Sequence, residues 1–517
     1  MQNKNYVPMY ECYSILQHYI TLVFLALFAA VIIIIYSFLT RNSNYWKKRG
    51  VLGPEPEFFF GNLKDVILRR AVISERYNEF YAKYPNQKVV GAFRLTTPVL
   101  VVRDLDLIQL IMIKDFDNFV DRGSQEFGNH GLSQNLVMTN GDNWRVLRTR
   151  LSPIFSSGKI KNMFHLIENS GDHFLEHIGP IMETSPEQKT YSLIQKYTIA
   201  TISACVFGLD INLNDYDAEA YSKIDKLIFT PTYFIEINFL FPGLMSYLNI
   251  PIFPEVIRKF FYNLIDTITK ERNGKPSNRN DFMDLMLELK NAGEIKGHKK
   301  REDDEERILK ITDDLLAAQA FIFYAAGYET TATTVSLLLH ELALHQDIQN
   351  RVVNEINNVL RKNDNKLTYD SLKEMTYLSQ VFDEVLRMYP IIDPLQRRPK
   401  APFKIPGSDI IIEKDVLCQV SVSGIHYDEK YYPNPYNFDP DRFTPENMKS
   451  RHPCAYMPFG ILGMRFAKVQ SGVCVVKLLR KYRVERAAAT TRHFIYDGNR
   501  VILGPKNGVP LKFVPRN

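Results

Sequence analysis

Three hydrophobic patterns divide the chain. The first is unbroken: Ile20 to Leu39 holds 20 residues without a charge, rich in Leu, Val, Ile, Phe and Ala. At about 1.5 Å per residue such a helix crosses a hydrocarbon core of roughly 30 Å, so the run predicts a transmembrane helix. A cleaved signal peptide is the rival reading, but its apolar core usually spans about 7–15 residues and ends in small residues at a cleavage site. The second pattern alternates apolar and polar residues from Lys88 to Val102 with a turn at Thr96 to Pro98, predicting a small antiparallel sheet. The third has helical spacing and covers most of the later chain, including a long apolar run from Leu315 to Leu344. The mixed-charge tract Lys296 to Arg307 reads as a solvated loop.

Charge orients the first pattern. Arg41, Lys47, Lys48 and Arg49 follow the apolar run and only Lys4 and Glu11 precede it, so the positive-inside rule places the bulk of the chain in the cytosol. The prolines of Gly53-Pro54-Glu55-Pro56 remove backbone donors and cannot continue the helix. They mark a hinge or a plain linker. The rest has globular composition, 24% charged and 45% hydrophobic over 517 residues, which excludes disordered and collagen-like classes. A net charge of +6 gathers on no nucleic-acid motif and suits anionic lipid or an acidic protein partner. The five cysteines, Cys12, Cys205, Cys418, Cys454 and Cys474, form no Cys-x-x-Cys pair, so neither a disulfide framework nor a zinc site is implied.

Four short segments carry candidate chemistry. Glu384 and Arg387 are three apart and share a helix face; such pairs are ordinarily solvated and contribute little. Gly327, in Ala325-Ala326-Gly327-Tyr328-Glu329-Thr330-Thr331, interrupts the long apolar run. A glycine there costs about 1 kcal/mol against alanine, so a helix crossing or a functional reason is expected. Trp144 and Arg148 are four apart on one face, commonly a packing pair with a cation–π contact. The fourth segment is Pro458-Phe459-Gly460-Ile461-Leu462-Gly463-Met464-Arg465-Phe466-Ala467.

Together these segments resemble the cytochrome P450 family, whose ligand loop runs Phe-x-x-Gly-x-Arg-x-Cys-x-Gly into a helix. The resemblance spans the chain from the apolar run to a C-terminal strand at Val509 to Val514, with motifs in family order, and is closest to insect members that metabolise xenobiotics. It implies a mainly α fold with small antiparallel sheets behind a transmembrane helix. The implied organisation is a lumenal 1–19, an anchor at 20–39, a basic, proline-rich hinge at 40–62 and a P450-like domain at 63–517. It further implies a haem-thiolate monooxygenase of the endoplasmic reticulum membrane that faces the cytosol. Such an enzyme draws electrons from NADPH through cytochrome P450 reductase and acts on lipophilic substrates.

Residue by residue, Glu384, Arg387 and Arg442 (in Phe438-Asp439-Pro440-Asp441-Arg442-Phe443) match the family's buried structural triad. Ala326, Gly327, Glu329 and Thr330 match its oxygen-binding groove and proton-delivery pair. Trp144, Arg148 and Arg397 match haem-propionate contacts, and Phe459 and Gly463 match the flanks of the ligand loop. The axial cysteine is missing. Anchored on Phe459, its slot holds Phe466; anchored on Gly463, it holds Ile461, as a deletion of about five residues would leave it. A third propionate arginine, the one in the ligand loop, goes with it, leaving three propionate contacts where four are expected. Cys454 is a distant substitute that would require the loop to re-thread, His452 would lack the electron push of a thiolate, and Cys474 reads as core. By resemblance, Phe127 to Leu136, Phe321 to Ala326 and Ile391 to Pro394 line the substrate pocket, and the apolar segment Phe239 to Pro254 dips into the bilayer. Two functional readings stay open: a microsomal monooxygenase, or a non-catalytic relative or defective isoform that binds lipophilic ligands or the reductase.

Overall fold

The structure is a computed structural model that describes residues 9–123, 131–213, 218–230, 232–241, 243–277, 279, 281–297, 307–414, 416–458 and 463–516. Phe459 to Leu462, most of the 296–307 tract and residues 127–130 of the pocket segment therefore lie outside the described residues. The apolar run is part of a longer helix, α1 (Met9–Thr40). Within it Leu16–Thr40 has the length and mean hydropathy, 3.0, to cross a membrane, and none of that stretch is buried in the protein.

After α1 the chain does not run free. Trp46 is buried and its indole N–H donates to the Ala92 carbonyl at 2.9 Å. A Cβ at Gly53 would lie 1.8 Å from the Gly91 carbonyl oxygen, so only glycine permits this approach. The segment expected as a hinge is thus packed onto the first strand for much of its length.

That strand, β1 (Val89–Arg94), pairs antiparallel with β2 (Thr97–Val102) in the register Val89↔Val102 to Arg94↔Thr97. The turn is Leu95-Thr96, one residue earlier than the sequence pattern implies. The sheet is completed by β3 (Leu395–Arg397) and β4 (Leu417–Val420) in the order β1-β2-β4-β3. Near the C-terminus β5 (Tyr482–Arg486) pairs with β6 (Pro510–Pro515), which pairs in turn with Glu187–Lys189.

Helices make up most of the rest. Those that matter for the site are α2 (Gly141–Leu151), α3 (Thr190–Ile202), α4 (Ala218–Phe229), α5 (Tyr233–Leu240), α6 (Asp313–Leu344), α7 (Thr376–Met388) and α8 (Met464–Lys481). α6 is the long apolar run. It starts where the Thr312 hydroxyl accepts from the Leu315 N–H, with Asp313 and Asp314 favourably placed in its first turn. Its apolar residues face every direction because α3, α7 and α8 pack around it, so almost the whole helix is buried. α8 starts at Gly463 in a left-handed conformation, φ 118°, which suits glycine alone.

Candidate functional site

The Glu384 cluster joins α7 to the loop that follows the sheet. Arg387 donates to both Glu384 oxygens, Nε to Oε2 at 2.7 Å and Nη2 to Oε1 at 2.9 Å. Helical spacing alone brings these two side chains together. Arg442, 58 residues away in sequence, approaches Glu384 Oε1 at 3.4 Å, and the Asp439 N–H donates to the same oxygen at 2.9 Å. Arg387 also donates to the His426 and Pro435 carbonyls. Glu384 and Arg387 are fully buried. Burial pushes the Glu384 carboxyl upward against the pull of Arg387, while the donors around it hold the ion pair in place. The cluster fixes one helix to one loop through carbonyl and carboxylate acceptors, an architectural arrangement.

On α6, the Thr330 hydroxyl donates to the Ala326 carbonyl at 2.7 Å. Gly327 sits at a crossing: a Cβ there would lie 2.4 Å from Ile202 of α3. This close approach accounts for the glycine by packing. Glu329 turns to another set of partners. Its carboxylate accepts from Tyr191 of α3, from Arg500 Nη2 at 2.7 Å and from Thr333 at 3.3 Å. Arg500 continues to Asp225 of α4 at 3.2 Å, and Tyr328 donates to the other Asp225 oxygen at 2.8 Å. Burial pushes the Glu329 carboxyl up to about 7; Arg500 pulls it down and Asp225 pushes it up again. Thr330 and Glu329 are adjacent in sequence but bond to different groups.

Trp144 and Arg148 lie on α2 and Arg397 ends β3. The structure adds Arg122 to them. Its guanidinium lies 5.4 Å from the Trp144 ring, Phe116 lies 5.7 Å from that ring, and Arg397 is 5.8 Å from Phe116. Burial, then the neighbouring Arg397 and Arg148 charges, lower Arg122 to about 9, and burial lowers Arg397 to about 10. Among the described residues none of these three guanidinium groups pairs with a carboxylate. Trp144 Nε1 and Arg397 Nε are buried without an acceptor. Such orphaned donors are uncommon in a folded protein and here share one recess with excess positive charge.

The chain past this recess holds no thiol between Cys454 and Cys474. Cys454 is buried in a 3-10 turn, Pro453–Ala455, within the cluster that packs beneath the first sheet. Burial raises its thiol above the ordinary value. His452 accepts from the Cys454 N–H through Nδ1 and lies 3.4 Å from Asp106 through Nε2. Cys474 lies in the main core on α8. Phe466, the residue in the cysteine slot when the loop is anchored on its left flank, is buried in that core 6.3 Å from Phe155.

A family model, Cytochrome P450, matches residues 51–513. The chain belongs to the cytochrome P450 family. Cytochrome P450 6B7 of Helicoverpa armigera is 48% identical over 496 residues, 95% of this chain and 98% of that protein. Cytochrome P450 6B1 of Papilio polyxenes is 46% identical over 497 residues, covering 95% and 99%. Cytochrome P450 6a2 of Drosophila melanogaster is 34% identical over 491 residues, covering 91% and 95%. By family the protein is a monooxygenase, and the family implies haem.

This P450 chain fits that group at one edge and not at the other. The orphaned Trp144 and Arg397 donors, with Arg122 and Arg148, supply what two carboxylates require. For the thiolate, the segment Pro458 to Ala467 that matches the ligand loop contains no cysteine. Arg122 escaped notice in the sequence because a single arginine in Phe119-Val120-Asp121-Arg122-Gly123 has no periodic partner. Arg500 escaped for the same reason: it bonds to residues 171 and 275 positions away.

Proposed function

We propose that this protein is built as a membrane-anchored P450 monooxygenase for lipophilic molecules and that the chain, with this ligand loop, has lost the reaction. The observation that carries the reading is the pairing of an intact carboxylate cradle with a loop that has no cysteine. Haem, when bound through a thiolate, supplies the activation of dioxygen. Trp144, Arg122, Arg148 and Arg397 would hold its carboxylates. Thr330 carries an exchangeable proton at Oγ1 next to Gly327. Burial raises the neighbouring Glu329 carboxyl, and this acid and the Thr330 alcohol are the pair assigned to proton delivery. Glu384, Arg387 and Arg442 keep the fold behind the site.

The apolar segments support lipophilic substrates. Leu132, Leu136, Phe321 and Ile391 are all buried, and Gln319 pins the first of these segments to α6 through the Leu136 N–H and the Gln134 carbonyl. Residues 20–39 anchor the protein in the endoplasmic reticulum membrane, 1–19 are lumenal, 40–62 link the anchor to the body, and the P450 body at 63–517 faces the cytosol, where NADPH–cytochrome P450 reductase supplies electrons. Phe241, Tyr247 and Leu248 are exposed beyond α5, and Phe241 stacks on Phe38 of α1 at 5.2 Å. This continuity with the anchor supports a second contact with the bilayer. The second reading, a non-catalytic relative, is favoured by the loop alone.

The carbon-monoxide difference spectrum of the reduced protein tests the proposal. It is recorded for the chain itself and for a variant in which five residues restore a Gly-x-Arg-x-Cys loop. A thiolate-type band in the restored variant alone is expected. The same band in the unaltered chain would overturn the loss of reaction, and no band in either would overturn the monooxygenase scaffold.

A further inference from the structure

Several other guanidinium groups packed into the protein have a counter-charge, whereas buried Arg103 bonds only to the Pro85 and Gln87 carbonyls. Arg272 bonds to Asp281 and Asp284, Arg500 to Glu329 and Asp225, and Arg387 to Glu384. The recess around Trp144 differs from both cases. It gathers Arg122, Arg148 and Arg397, three positive charges with no paired carboxylate among the described residues, beside two orphaned buried donors and the rings of Phe116 and Trp144. Arg397 is buried and Arg122 and Arg148 are half-buried, and like charges crowded in such a place raise the free energy of the ligand-free state. A ligand that brings two carboxylates and a flat apolar body relieves this cost; one that brings only a metal does not. In a P450 with a thiolate loop, recognition is divided between this edge and the iron. Here the second share is gone.

We infer that this chain binds tetrapyrrole dicarboxylates by their carboxylate edge alone, so that metal-free protoporphyrin occupies the site about as tightly as haem. The inference rests on the reading that the loop offers no thiolate. Selectivity then lies in the acid groups and the planar ring, and the bound metal is incidental.

The full-length protein in detergent micelles is titrated with haem, protoporphyrin IX and protoporphyrin IX dimethyl ester. The readouts are quenching of tryptophan fluorescence, to which Trp144 contributes as one of two tryptophans, and the rise in melting temperature. Haem and protoporphyrin are expected to bind within about threefold of each other, and the ester about tenfold or more weaker, since charge-assisted hydrogen bonds are lost. Arg148→Gln and Arg397→Gln should each weaken both acids by about tenfold and leave the ester nearly unchanged. Haem binding ten or more times tighter than protoporphyrin would overturn the inference by revealing a metal ligand, as would an ester that binds as well as the acid. The ester comparison requires no variant, so misfolding cannot imitate either result.

The loop-restored variant separates this inference from the reading beneath it. Restoring the cysteine should tighten haem and leave protoporphyrin as it was. If haem tightens while the unaltered chain binds no protoporphyrin, the inference fails and the monooxygenase scaffold stands. If the restored loop brings no gain for haem, that scaffold reading fails whatever protoporphyrin does.

Discussion

Two guanidinium clusters in this protein, one buried and one partly buried, use one residue type to opposite ends. Around Glu384, a carboxylate and two backbone carbonyls take up the Arg387 donors, and Arg442 adds a second cation at 3.4 Å. Around Trp144, Arg122 feels the Arg397 and Arg148 charges, and among the described residues none of the three guanidinium groups pairs with a carboxylate. The first cluster is complete as the chain folds and so contributes rigidity. The second is unpaired among the described residues, and on the reading proposed above its role is to bind a ligand. Satisfied charge marks architecture, and unsatisfied charge marks a place for a ligand.

Mutations can break this contrast. The largest effect is expected at the complete cluster: Arg387→Met leaves the Glu384 carboxylate buried with too few donors and should destabilise the protein by about 3–5 kcal/mol, read from urea denaturation in detergent. His426 borders the same cluster. Its Nδ1 bonds to the Arg387 carbonyl and its Nε2 accepts from the Met457 N–H at 3.2 Å, just before the ligand loop. Burial lowers it to about 3. The unfolded chain binds this proton below the ordinary histidine value while the folded one does not, so stability is lost as pH falls from about 6.5 toward 3. The loss should reach roughly 3 kcal/mol at pH 4, and His426→Gln should remove that share of the acid sensitivity in denaturation curves at pH 7 and pH 4.

Arg500 tests an intermediate case, complete but partly wet. Arg500→Gln should destabilise by about 1–3 kcal/mol and raise the Glu329 carboxyl further, seen as a shift in its carbonyl stretching band with pH. The smallest effect has the opposite sign. Arg122→Gln removes one of three crowded charges and should stabilise the ligand-free protein by about 1 kcal/mol, measured by thermal melting, while it weakens protoporphyrin binding. A loss of stability there would erase the distinction between the clusters.

The long apolar helix near the N-terminus, the first hairpin and the central helix were legible in the sequence because each rests on local periodicity. Ile20 to Leu39 lies within α1, Lys88 to Val102 forms β1 and β2, and Leu315 to Leu344 lies within α6. The Glu384–Arg387 contact was legible too, since helical spacing alone supplies it. The absence of a cysteine from the loop is likewise a property of the chain as written. What the tertiary structure decided was partnership. Trp46 to Gly53, expected as a hinge, packs on β1 because Gly53 and Gly91 allow backbone to touch backbone. Glu329 bonds to Arg500 and Tyr191, since the C-terminal turn and α3 reach it from distant parts of the chain. Arg122 joins Arg148 and Arg397 only because separate segments converge on one recess. Local spacing determines which face a side chain shares, but long-range packing determines which charge it meets, and in this protein the second decides both the rigid cluster and the open one.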